Sequence, residues 1–249
     1  MKLVNLFVIA TCFLVFSCGE ADLNDPKSVK KIVENALDWE KIQQRLNNDE
    51  LLSYAPNSDA PYTGWLKKMH PNGQVLILFS FKDGLLDGQA VQWYDNGQKK
   101  SESSYTNGIR HGKFSTWYES GQKEAEVAYE NGKKNGLETQ WWDHGVKQMV
   151  LNWDNGVING QFINWFSNGN KRVETNFKNG APDGQSLRWH GEGQKLWDIK
   201  LNSGTVVSAQ YYNKDGESVS SVANTGFSSL NDDEMRPSWV ATSVIGESD

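Results

Sequence analysis

Tyr105-Thr106-Asn107-Gly108-Ile109-Arg110-His111-Gly112, running on through Lys113-Phe114-Ser115-Thr116-Trp117-Tyr118-Glu119-Ser120-Gly121-Gln122-Lys123, is the stretch whose reading decides the fold. Its landmarks return at a fixed step of 24 residues: Gly84, Gly108, Gly132, Gly156, Gly180 and Gly204 in one register, and Gly64, Gly88, Gly112, Gly136, Gly160 and Gly184 in a second. A third glycine series, Gly73, Gly97, Gly121, Gly145, Gly169 and Gly193, keeps the step, and so do Trp93, Trp117, Trp141, Trp165 and Trp189. Four series in phase without a gap mark an internal repeat rather than chance.

Within each unit, short alternating segments flank the third glycine, which is the period of a half-buried strand, so each unit reads as a two-stranded hairpin. After that glycine, Lys123-Ala125-Val127-Tyr129, Lys147-Met149-Leu151-Trp153 and Lys195-Trp197-Ile199-Leu201 are expected on a packed face, with Glu124-Glu126 on a wet one. On the preceding strand, Val91-Trp93, Thr139-Trp141, Ile163-Trp165 and Leu187-Trp189 form the matching apolar set. A two-residue Asn96-Gly97 loop would put the two sets on opposite faces, because a one-residue slip inverts a strand. A three-residue loop, Asp95-Asn96-Gly97, pairs Trp93 with Lys99 and suits a type I turn with glycine in the left-handed position. Lys99, Lys123, Lys147, Lys171 and Lys195 then stand beside the indoles, their aliphatic stems covering them, with a basic ligand-binding ladder as the alternative. Glu102, Glu126, Glu174 and Asp198 recur on the opposite, solvated face, and Val150 breaks that series.

The pattern Trp-Tyr-x-x-Gly-Gln-Lys followed by aromatic-x-Asn-Gly-x-x-x-Gly, seen from Trp93 to Lys99 and from Tyr105 to Gly112, resembles the variant MORN repeat of bacteria. The resemblance covers about Tyr62 to Gly216. It implies a mainly β fold, an elongated antiparallel β-meander of 24-residue hairpins, roughly 60 Å long if each hairpin adds about 9.6 Å. Bacterial members of that family are often named as antitoxins of toxin-antitoxin pairs, while other proteins of the wider family act as membrane-proximal scaffolds. Faint likeness to the shorter Trp/Gly repeats of choline-binding wall modules is a minor alternative.

The flanks set the rest of the organisation. Residues 1–17 read as a signal peptide: Lys2 precedes an apolar run from Leu6 to Phe16 that is short for a membrane span. Val15-Phe16-Ser17-Cys18 resembles a lipobox, with Phe16 where a small residue is usual, so Cys18 is the expected lipidation site and ordinary cleavage a few residues later the alternative. Residues 18–56 are a tether and helical cap, in which Asp25 caps a helix from Pro26 to Leu52 with Val29, Ile32, Val33, Ala36 and Leu37 as its apolar stripe. Trp39, Ile42 and Leu46 continue that stripe. Residues 57–217 hold the repeats, and residues 218–249, rich in serine and mildly acidic, a flexible tail in which Trp239 to Ile245 offers a docking segment.

Function classes narrow by elimination. The net charge of -6 disfavours a phosphate-tracking surface, so no nucleic-acid partner is expected. Cys12 and Cys18 lie in the first 18 residues, which leaves the body without a thiol to pair. His70, His111, His144 and His190 lack the one-face spacing of metal ligands, and the Asn-Gly turns lack the carboxylates of calcium loops. No enzyme activity, cofactor or metal is expected. The expected role is a membrane-tethered scaffold in the cell envelope that binds a protein or an envelope polymer, or, alternatively, an antitoxin-like inhibitor. Tyr94, Tyr118, Trp142 and Phe166, each following a repeat tryptophan, are the candidate binding surface, since a single-layer sheet with aromatics on both faces leaves one column partly exposed.

Overall fold

A computed structural model describes residues 21–223. Cys18, residues 1–17 read as a signal peptide, and the Trp239–Ile245 segment lie outside the described residues. From Gly64–Met69 onward the strands pair antiparallel in chain order, and with Leu37–Asp38 added in parallel at the edge they form one 17-stranded sheet. The mainly β meander with a helix near its start is as the repeats imply.

Two kinds of turn alternate. At one end, Asn107 (φ 49°) and Gly108 (φ 76°) both lie in the left-handed region between Thr106 and Ile109, a two-residue type I′ hairpin whose twist suits the strands it joins. The same turn falls at Gly84, Gly132, Gly156, Gly180 and Gly204. At the other end, the amide of Tyr94 donates to Gln98 O at 2.9 Å around Asp95-Asn96-Gly97, and Trp93 pairs with Lys99, the three-residue loop and register read from the sequence.

The face assignment is corrected by one residue. Immediately beyond Lys99 the pairing jumps from Trp93↔Lys99 to Gln92↔Ser101, leaving Lys100 unmatched. The same shift follows Lys123, where Glu124 is the extra residue, and recurs at Lys147, Lys171 and Lys195. A β-bulge of this kind inverts the sidedness of everything beyond it. Lys123 and Glu126 therefore share a face with Trp117, whereas Ala125, Val127 and Tyr129 share the other with Phe114 and Thr116. The repeat tryptophans thus lie opposite the Val127-Tyr129 set, and the acidic series lies beside the lysines. We call the two sides the indole face and the groove face.

The N-terminal segment departs from a single long helix. The helix α1 spans Pro26–Asn35, with the Asp25 carboxylate accepting from the amides of Lys27 and Ser28. It stops there because Leu37 and Asp38 are drawn into parallel pairing with Leu66 and Lys67 at the sheet edge. Val29, Ile32 and Val33 pack on the indole face against Leu78, Val91 and Trp93, with Leu23 and Ala36 completing the cluster. Beyond the edge the chain crosses to the groove face, where Trp39 meets Phe79 edge-on at 6.0 Å. Residues Gln43–Asn47 and Glu50–Tyr54 form a separate hairpin around Asn48-Asp49, both left-handed, and Leu46 is exposed rather than on a helical stripe. That hairpin sits on the first repeat turn: Ser53 N donates to Gly84 O at 2.9 Å, and a Cβ on Gly84 would lie 2.9 Å from Leu52 Cβ. At the other end the sheet gains one strand, Ser218–Ala223, inside the segment read as tail. Tyr212, paired with Ser218, takes the place of a repeat tryptophan one residue early.

Candidate binding groove

The groove face fills itself. An aromatic residue of each unit stands opposite a glycine in the ladder, as in Tyr105↔Gly88, Tyr129↔Gly112, Trp153↔Gly136 and Phe177↔Gly160. Phe114 and Tyr129 meet edge-on at 6.2 Å, and Phe162 and Phe177 do the same. Near the C-terminus the packing is complete: Trp197, Ile199, Leu201, Ala209 and Tyr211 form a buried cluster with Trp197 and Ile199 at 0% exposure.

Between the second and third hairpins the face is not filled, and a cleft of about 340 Å³ opens. The cause is residue size. Ala90, Ser101, Ser103 and Thr116 line the cleft, whereas Trp197 and Ile199 stand four repeat steps later at positions equivalent to Ser101 and Ser103. One wall is Tyr105, Arg110 and Phe114; the other is Tyr94 with the bulge residues Lys100 and Glu124.

Arg110 is the central polar group. Its guanidinium lies 4.8 Å from the Phe114 ring centre, 5.0 Å from Tyr129 and 5.5 Å from Tyr105, and it donates to the Tyr105 hydroxyl at 3.0 Å. Burial works against its charge, but the hydroxyls of Tyr105 and Tyr129 outweigh that and hold its pKa above the ordinary arginine value. Its Nε is buried without a partner. A caged cation of this kind with a spare donor suits a carbonyl or carboxylate brought into the cleft.

The sequence-derived surface residues fall along the rim. Tyr94 and Tyr118 are half-buried, and their hydroxyls donate to Trp117 O at 2.9 Å and Trp141 O at 2.8 Å, each tying one unit to the next. Burial, then the neighbouring Glu124, raises both phenol pKa values, so they remain neutral donors. Trp142 buries its Nε1 without a partner, and Phe166 lies 5.6 Å beneath the Arg172 guanidinium. Of the four, Tyr94 alone lines the cleft. Tyr105, Arg110 and Phe114 were not singled out as site residues; their signal is the Asn107-Gly108 turn, whose two-residue register sets Tyr105 opposite Arg110.

On the indole face, Lys99 reaches Glu102 at 2.8 Å, Lys171 reaches Glu174 at 2.7 Å, Lys195 reaches Asp198 at 3.2 Å, and Lys123 pairs with Glu126. Lys99 and Lys123 lie over the Trp117 ring at 5.4 and 5.8 Å. The lysine column therefore clamps indoles, with carboxylates beside it, the arrangement of a structural rather than a ligand-binding ladder. His144 Nε2 donates to Ser167 O at 2.7 Å and Nδ1 lies 3.1 Å from the Asp143 carboxylate, and those partners raise its pKa above 6.5. Among the described residues no three His, Cys, Asp or Glu side chains are grouped to hold a metal, and no helix is long and apolar enough to cross a membrane.

A comparison with curated proteins yields no match. The family described as MORN repeat variant matches residues 86–107, 110–133 and 158–179. Each match spans one hairpin built around the three-residue turn, and the same pairing and bulge recur in the hairpin between the second and third matches and in the one after the third. Over those residues the chain is similar to the MORN repeat variant, and the hairpin geometry of the matched segments recurs along the sheet.

Proposed function

We propose that the chain is a non-catalytic, membrane-tethered scaffold of the cell envelope, anchored by a lipid on Cys18, that holds an extended segment of a partner protein or envelope polymer in the groove. MORN repeats are binding or scaffold modules, which is compatible with this reading. The observation that carries it is the cleft itself: small residues beneath, aromatic rings on both sides, and the caged Arg110 with an unused donor. Rings present flat apolar area to sugar or side-chain faces, and a single polar group fixes orientation.

The test has two parts. Tryptophan and tyrosine fluorescence are followed while soluble wall-polymer fragments and an extended-peptide library are titrated onto the folded chain. Binding that weakens about tenfold or more in Arg110→Met, and not in Lys178→Met at an exposed site, supports the groove; panels that bind neither protein differently overturn it. The intact mass of the membrane-extracted protein, beside Cys18→Ser, tests the anchor. A diacylated or triacylated chain beginning at Cys18 supports tethering, while a cytoplasmic chain retaining Met1 favours the antitoxin-like inhibitor instead.

A further inference from the structure

The indole face carries two apolar windows of the same construction, and α1 covers only the first. Leu78 and Val91 are cross-strand neighbours at 0% exposure, flanked by Trp65 and Trp93 and sealed by the helix. Three repeat steps later the same positions hold Val150, Ile163, Leu137 and Trp165. Val150 and Ile163 are cross-strand neighbours, half-buried, and Leu137 beside them is 57% exposed. Between and beyond the windows the central column is charged, with Glu102, Glu126, Glu174 and Asp198 each held by a lysine. Val150 interrupts that series and leaves Lys147, an exposed member of the lysine column, without a carboxylate among the described residues.

We infer that this second window is covered by the chain's own C-terminal segment, with Trp239, Val240, Val244 and Ile245 packing on Val150 and Ile163 and a tail carboxylate taking the vacant place beside Lys147. The segment has the right chemistry: apolar residues bracketed by Asp232, Asp233 and Glu234 before them and Glu247 and Asp249 after. It also has the reach. Strand 157–165 lies five strands in from the final strand, about 24 Å at about 4.8 Å per strand. The linker from 224 to 238 spans up to about 50 Å when extended. The docked segment leaves the groove on the other face free, so this inference does not depend on what the groove binds.

The experiment uses the full chain with a photoreactive p-benzoyl-phenylalanine at Ser238, irradiated at low concentration and mapped by mass spectrometry. Intramolecular cross-links to peptides within residues 137–165 are expected, falling about fivefold or more in Val150→Glu. That variant restores the residue type of the other units and gives Lys147 its carboxylate, so the fold is retained, which its circular dichroism checks. Cross-links elsewhere, no cross-link to the window, insensitivity to Val150→Glu, or cross-links joining two chains would each overturn the assignment.

Discussion

Trp117 and Trp197 are the same residue type in the same sheet, on opposite faces, and they are held in different ways. Trp197 is fully buried among Ile199, Ala209 and Tyr211, side chains of its own and the adjoining strand, with the Arg188 guanidinium 4.8 Å from its ring. Trp117 is half-buried beneath the stems and ammonium groups of Lys99 and Lys123, themselves fixed by Glu102 and Glu126. One face thus resembles half of an ordinary core closed by its own rings; the other replaces the missing second layer with charged side chains whose stems are apolar. The bulge after each lysine is what allocates the residues between these two solutions.

That contrast can be broken by substitution. Trp197→Ala is expected to cost about 3–5 kcal/mol, because a fully buried indole leaves a cavity, and Trp117→Ala about 1–2 kcal/mol, since a half-buried ring gives up less area and a modest cation contact. Urea unfolding of both variants checks the order, and equal shifts would remove the distinction. Tyr118→Phe deletes the donor to Trp141 O and is expected to cost about 1 kcal/mol, read as faster amide exchange in the two hairpins it joins. The smallest effect belongs to the clamp. Burial raises the Glu126 pKa, but hydrogen bonds from Lys113 and Lys123 outweigh it and lower the value below 4.5. Its contribution is therefore present above the unfolded value near 4.5 and fades as pH falls through the lower folded value. Glu126→Gln should lower stability by about 0.5 kcal/mol at pH 7, with the difference from wild type vanishing in melts taken well below pH 4.

The repeat step, both turn positions and the Trp93–Lys99 pairing were legible from the sequence because glycine in left-handed turns and alternation are local facts. The faces were misassigned because a classic bulge after the lysine leaves no composition mark: Lys100, Glu124 and Gln148 have nothing in common beyond their place. The helix was read too long because its stripe runs on into Leu37, which pairs with a strand 29 residues away, a choice local periodicity does not report. Asn48-Asp49 was the overlooked sign of the small hairpin. The cleft depended on the relative sizes of Ser101, Ser103 and Thr116 against the larger residues at equivalent places, a comparison meaningful only once the groove face was correctly assigned.

Turn tips at both ends are bonded to the neighbouring unit: Asn72 to Asp95 O, Asn96 to Glu119 O and Asn168 to Gly191 O at one end, and Gly108 to Leu86 O and Gly180 to Ile158 O at the other. The strands lie across the long axis, so tension applied between the two chain ends loads one hairpin's hydrogen bonds at a time rather than all in parallel. Pulled from its ends, the protein yields in a sequence of small releases, each freeing about 80 Å of chain per 24-residue unit at about 3.3 Å per residue. Its mechanical response is that of a zip rather than a rigid strut.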